Sequence, residues 1–359
     1  MSLKNRKEDR IFFTLKETKT GNENSPNLYA RNGALFEGRG LMTLPNPTVL
    51  TESDKGKLGS GEHGTGSKIM AIGSPWSYKC DRPSEIGFLL CYLLGKADTN
   101  TGGNETHHLH HLNVDELELP TFGFQYGNGL VNSVFAGAVV NDCSISIPFN
   151  SGNGKIEATF NGWANGHYVS GGALTKLATG TFNSGLYSIN IEPIVNAKAI
   201  KTYLANVLET SYGDSSVDFT GEDMGAGLVE ISDLINSLTL TINNGMTMEE
   251  KLRAGGCGII NDWTRGVRAL TLELNARKDT SKVDWDALRL ARSQRAIEIQ
   301  WAGAICALDL FFPVIEVNNC PEDDGTPVSQ AVTCEVFQDS EKQAFIAHMQ
   351  GTFQHAFDA

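Results

Sequence analysis

SLTLTIN, residues 237–243, sets Leu238, Leu240 and Ile242 against Thr239 and Thr241. Side chains two residues apart share one face of an extended chain, whereas an amphipathic helix needs apolar residues three and four apart. Threonine is β-branched and suits a pleated strand. The segment therefore predicts a strand with one face on a core and the other turned outward. ALTLELN (269–275) repeats the pattern with Leu270, Leu272 and Leu274. So do KIEATF (155–160) with Ile156, Ala158 and Phe160, and AIEIQW (296–301) with Ile297, Ile299 and Trp301. CALDLF (306–311) and QAVTCEV (330–336) add Cys306, Leu308 and Leu310, then Val332, Cys334 and Val336.

Helical signals are fewer. Asp81 as a cap, Pro83 in the first turn, a stripe of Ile86, Leu89, Leu90, Leu93 and Leu94, and a stop at Gly95 predict one helix. A second is expected from about Asp284 to Ser293, with Trp285, Leu288 and Ala291 on one side. A third is expected over Lys198 to Glu209, carrying Ile200, Tyr203, Leu204 and Val207, and a fourth after Ser340, carrying Phe345 and Met349. The fold class is mainly β with flanking helices (α+β).

Composition narrows the function. The chain has 359 residues, enough for two ordinary domains, and a net charge of −13. Such an acidic balance argues against a nucleic-acid-binding protein, whose footprint is a basic patch. The N-terminal MSLKNRKEDRIFF lacks the continuous apolar run of a secretory signal. No window of about 18 uncharged apolar residues predicts a membrane span. The seven cysteines include no CxxC pair, so they read as small buried hydrophobes in a reducing compartment.

ETHHLHHLN (105–113) holds His107, His108, His110 and His111. Neighbouring residues of a strand point to opposite faces, so the four cannot converge on one ion. The alternation continues through Leu112 and Val114, and we expect strand histidines, with no metal bound. GSGEHG (59–64) matches GxGxxG literally but lacks a strand before it and a helix after it, so it reads as a loop. PEDDGTP (321–327) is an acidic turn without calcium-ligand spacing. No nucleophile–base constellation is present, and neither a catalytic residue nor a cofactor is expected.

The order of elements recurs. The first half reads as an extended segment (Leu35 to Leu44), a long polar loop through Gly66, a strand, a helix, and further strands. The second reads as a strand (237–243), a long loop (244–262), a strand, a helix, and further strands. This suggests a tandem duplication. The expected division is an N-terminal arm at 1–30, a first module at 31–190, and a second at 191–359 ending in a C-terminal helix. An insertion is expected at 192–228.

Several stretches, in this order, resemble the tail tube (major tail) proteins of long-tailed, non-contractile bacteriophages. They are PSEIGFLLCYLLG (83–95), HHLHHLNVDELELPTFGF (107–124), GNGLVNSVFAGAV (127–139), and INSLTLTINNGM (235–246) with its paired Asn243 and Asn244. RGVRALTLEL (265–274), ALDLFFPVIEV (307–317) and SQAVTCEVFQD (329–339) complete the set. The resemblance implies two packed antiparallel sheets plus a helix, possibly duplicated in tandem. It implies rings, of three duplicated chains or of six chains, stacked into a hollow tube that conducts DNA. Tape-measure protein and DNA would occupy the lumen without specific binding. Tail terminator and baseplate or tail-tip proteins would meet the ends. The protein would reside in the virion tail after assembly in the host cytoplasm. The long loops are candidates for reaching the next ring. A repulsive lumen would keep DNA sliding, so Glu157, Glu273 and Glu298, each in an alternating strand, are the candidate lumen-facing acids. The alternatives are another virion structural protein (a tail terminator or capsid decoration subunit) or a metalloenzyme built on the histidines.

Overall fold

The computed structural model describes residues 10–16, 35–38, 40–43, 48–53, 67–102, 105–112, 119–127, 132–149, 155–164, 166–170, 200–206, 228–249, 262–264, 266–302, 306–325, 327–339 and 343–351. The alternating segments are strands. The first half contains β1 (Arg10–Lys16), β2 (Leu35–Gly38), β3 (Leu41–Thr43), β4 (Thr48–Ser53), β5 (Ser67–Cys80), helix α1 (Pro83–Leu94), β6 (Gly95–Gly102) and β7 (Glu105–Leu112). It continues with β8 (Phe122–Gly127), β9 (Asn132–Pro148), β10 (Glu157–Ala164) and β11 (Gly166–Ser170). The second half contains β12 (Lys201–Asn206), β13 (Val229–Glu230), β14 (Ile235–Asn243), β15 (Thr247–Glu249), β16 (Asp262–Thr264) and β17 (Ala269–Arg277). Helix α2 (Trp285–Leu290), β18 (Arg295–Ala302), β19 (Cys306–Asn319), β20 (Glu322–Asp323), β21 (Ser329–Phe337) and β22 (Ile346–Gly351) follow. The chain is mainly antiparallel sheet with few helices.

The strands pair in two runs. The first is β2–β1–β8–β9–β10–β5–β3. The second is β13–β12–β18–β19–β21–β17–β14. Their registers correspond. Gln125 lies opposite Val134 and Glu298 opposite Phe311, and both ladders carry a bulge, between Phe122 and Phe124 and between Arg295 and Ile297. Between β9 and β10 the bulge falls at Asn161/Gly162, and between β19 and β21 at Val317/Asn319. The initial part of β9 also pairs with β11, and that of β19 with β22. β14 joins the runs by adding to β9, from Ser237 opposite Pro148 to Asn243 opposite Asp142.

Helix α1 lies inside the core. All twelve of its residues are buried, and it touches β7, β9, β19 and β22. A helix apolar on nearly every side must be covered on every side. Gly87 makes one close approach possible, since a Cβ there would sit 2.1 Å from Met349 Sδ of β22. Gly95 ends the helix at φ 98°, in the left-handed region that glycine occupies without strain. The N-cap is Arg82, without a side-chain cap, and not Asp81. Buried Glu85 accepts a hydrogen bond from the Tyr78 hydroxyl at 2.9 Å, and that hydroxyl accepts one from the Gly40 N–H at 2.7 Å. A buried carboxyl is held in place by such partners.

Several further expectations are corrected. The segment expected as a helix over 198–209 is strand β12, paired along its length with β18 and burying Thr202, Leu204 and Ala205. Tertiary pairing overrides a weak helical period there. The expected C-terminal helix is strand β22 at 346–351, held between β19 and β7. The expected N-terminal arm contains β1, which lies between β2 and β8 with Ile11 and Phe13 buried. The long loops carry short ladders at their bases, β4 on β5 and β15 on β16. Residues 54–66, including GSGEHG, and 250–261 lie outside the described residues. Helix α2 is shorter than expected, with Asp284 accepting a hydrogen bond from the Ala287 N–H at 3.0 Å as its cap. Trp285 is buried, whereas Ala291 is exposed.

Candidate functional site: a polar sheet face with open edges

Eight strands, β3–β5–β10–β9–β14–β17–β21–β19, run side by side across both halves. Alternation gives this sheet two unlike faces. One row on the core side is Ala158, Ile145, Leu240, Leu272, Cys334 and Val317, all buried. Two rows on the opposite face are Leu41, Lys79, Thr159, Ser144, Thr241, Thr271, Glu335 and Glu316, then Glu157, Ser146, Thr239, Glu273, Thr333 and Asn319. Hydroxyls dominate the middle of this outer face, and carboxylates punctuate it.

Glu157 and Glu273 therefore stand in one row, two of the three acids singled out from the sequence. Glu157 accepts a hydrogen bond from Lys79 Nζ at 2.6 Å, and both side chains are roughly half exposed, so the pair contributes at most about 1 kcal/mol. Glu273 is exposed. Glu298 is not with them. It lies on β18, which pairs with the first part of β19 and is not among the eight strands; it is only 3% exposed, with Gln300 Nε2 donating to it at 3.2 Å. Asp142, Glu316 and Glu335 are the acids of this face that sequence reading missed. The signal that finds them is the cross-strand register, since Asp142 lies opposite Asn161 and Asn243, and Glu335 opposite Glu316. Asn161 Nδ2 donates to Asp142 at 2.6 Å. Arg277 joins Lys79 as a base on the face, opposite Ser329. The described face thus carries five acids against two bases.

The junction between the halves is tied by Asn244, which is fully buried. Its Nδ2 donates to the Leu93 carbonyl at 2.9 Å and the Val140 carbonyl at 3.3 Å, and its Oδ1 accepts from Arg268 Nε at 2.6 Å. Arg268 Nη2 reaches the Leu94 carbonyl at 3.4 Å. Two residues of the second half thereby satisfy carbonyls that the end of α1 leaves unpaired. Asn141 answers across the same seam, its Oδ1 accepting from the Met246 N–H at 2.9 Å.

The ends of the eight-strand sheet are open among the described residues. Among the described residues β3 pairs with β5 alone, and β20 with β21 alone. Past Ile315, β19 keeps β21 on one side and has left β18 behind on the other. Leu41 of β3 is 59% exposed and Leu290 of α2 is 74% exposed.

His107, His108, His110 and His111 lie on β7, a strand between β6 and β22, as the alternation implied. What their side chains do lies outside the described residues. The Cys143 and Cys334 thiols lie on the core side, where burial pushes both up, Cys334 to about 12. Such thiols stay protonated and unreactive at neutral pH. Among the described residues no helix is long and apolar enough to cross a membrane. Residues 74–336, more than half of the 359, match the family described as phage tail tube protein. Comparison with curated proteins gives no match.

Proposed function

We propose that this chain, which belongs to the phage tail tube family, closes into rings that stack as the hollow tube of a long, non-contractile tail and conduct DNA through it. The family makes it a structural protein of the virion tail. The observation that carries the finer reading is the eight-strand sheet, polar on one face and, among the described residues, open at both ends. A sheet with open ends gains by adding a neighbour's strand. Head-to-tail addition generates a ring where the rotation closes.

The two halves are read as tandem copies of one tube module of two packed sheets and a helix. The matching strand order and the matching bulges support this. Three chains then supply six modules. The polar face turns to the lumen, with Glu157 and Glu273 on the wall and Glu298 away from it. Cations that neutralise phosphates bind DNA tightly, so an acid-rich hydroxyl wall holds the duplex off and lets it slide. The hairpins β4–β5 and β15–β16 are the segments placed to reach the next ring. Tape-measure protein and DNA occupy the lumen without specific binding, and terminator and tip proteins meet the ends.

Negative-stain microscopy of purified protein, incubated at high concentration, tests this. Rings or hollow tubes are expected. Compact particles that never associate, alone or with tail-tip proteins, overturn it.

A further inference from the structure

We infer that the seam between the two halves is repeated between copies, so that β3 of one chain adds to the β19–β20 edge of the next in a register the chain itself specifies. The inference rests on the ring reading above and goes further by naming the contact. Within the chain, β14 lies against β9, with Thr239 opposite Ser146 and Leu238 opposite Ile147. β3 holds in the first run the place of β14 in the second, since Met42 faces Tyr78 and Leu238 faces Leu274, each on the long strand before a helix. β19 and β20 likewise hold the place of β9. Ser146 faces Glu157 on β10, and Asp323 faces Ser329 on β21. Ile145 faces Ala158, and Glu322 faces Gln330. Transposing the seam therefore sets Thr43 of one copy opposite Asp323 of the next, and Met42 opposite Asp324.

The helices agree. α1 is covered by its own β9 and by β19 and β22 of the other half. α2 touches its own β19, and Leu290 at its end is 74% exposed. The cover that α1 has and α2 lacks among the described residues is supplied, in the same transposition, by β9 and β11 of the next copy. That copy is also the one that donates β3, so one neighbour satisfies both surfaces. The occupant is thus a second copy of this chain.

The test is a double variant, Thr43→Cys with Asp323→Cys, assembled and oxidised. Cross-strand neighbours lie about 4.5–5.5 Å apart at Cα, within disulfide range. Closed covalent rings, absent from each single variant, are expected on a non-reducing gel. Tubes that form normally without this cross-link overturn the register and leave the tube reading standing. Should the double variant not assemble, hydrogen exchange on the unaltered protein decides. The amides of residues 41–43, 320 and 322–324 are expected to slow by about tenfold or more on assembly. Unchanged exchange there in well-formed tubes overturns the inference. Failure of the unaltered protein to form rings or tubes at all removes the reading beneath it.

Discussion

At the scale of single residues, two buried polar groups do work that composition does not announce. Asn244 stands in a run of paired asparagines visible in the sequence, but its role depends on α1, more than a hundred residues earlier. Truncating it removes the donor to the Leu93 and Val140 carbonyls and the acceptor of Arg268 Nε. Asn244→Ala is expected to lower stability by about 2–3 kcal/mol, read from urea unfolding, and an unchanged midpoint would show that the seam does not need it. The second group is Tyr78. Burial raises its phenol well above the ordinary value, and the Glu85 carboxylate beside it adds to the rise. A group whose proton is held more tightly when folded contributes stability below its unfolded value and loses it as pH rises. Between about pH 9 and 11, around the unfolded tyrosine value, the unaltered protein should lose stability more steeply than Tyr78→Phe. Parallel pH profiles would contradict the assignment. The three acids read from the sequence make the same point. Glu157, Glu273 and Glu298 alternate equally well with apolar neighbours, and only the tertiary structure separates them. Ala296, Ile297, Glu298 and Ile299 are all buried, so β18 is covered on both faces and its alternation carries no outside.

Elements were legible where the signal is local. The period of two in 237–243 and 269–275 is a property of the chain alone, and β14 and β17 appear where it predicts them. The stripe of 86–94, with Pro83 before it and Gly95 after it, is equally local, and α1 fills that span. Segments 198–209 and 340–349 failed because each offers only a few apolar residues, compatible with either period. Their outcome is set by the strands waiting on either side, β18 for one and β19 with β7 for the other. Edge chemistry is also an element property. Ile145 and Ile147, which β14 covers within the chain, correspond at the open edge to Glu322 and Asp324. Glu322 and Asp324 are both exposed, and charges along a sheet edge discourage unprogrammed pairing. Glu322 is further engaged by Lys278. Glu322→Ile with Asp324→Ile is therefore expected to polymerise at about tenfold lower protein concentration, as followed by light scattering. A variant that assembles less readily would mean that the edge needs those charges.

For the whole molecule, charge and symmetry are the quantities that matter. The net charge of −13 was visible at once, but its distribution was not. Five of the acids share the polar face with two bases, and the field of a wall that repels a duplex fades over about 8 Å at physiological salt. In the proposed three-chain ring, replacing Glu157 and Glu273 with lysine would turn repulsion into attraction at six points. Virions carrying both changes are expected to release DNA more slowly, most clearly at low salt, and release at an unchanged rate would remove the face from the lumen. The proposed duplication rests on the recurring element order, which the sequence shows, and on matching registers and bulges, which lie in pairings between distant strands and are not legible in the sequence. Its consequence is a number. The most direct measurement is the count of chains per ring in assembled tubes, from image symmetry together with the mass of one ring. Three chains, each of 38.9 kDa, is the expected result, and six chains in a ring would contradict the account.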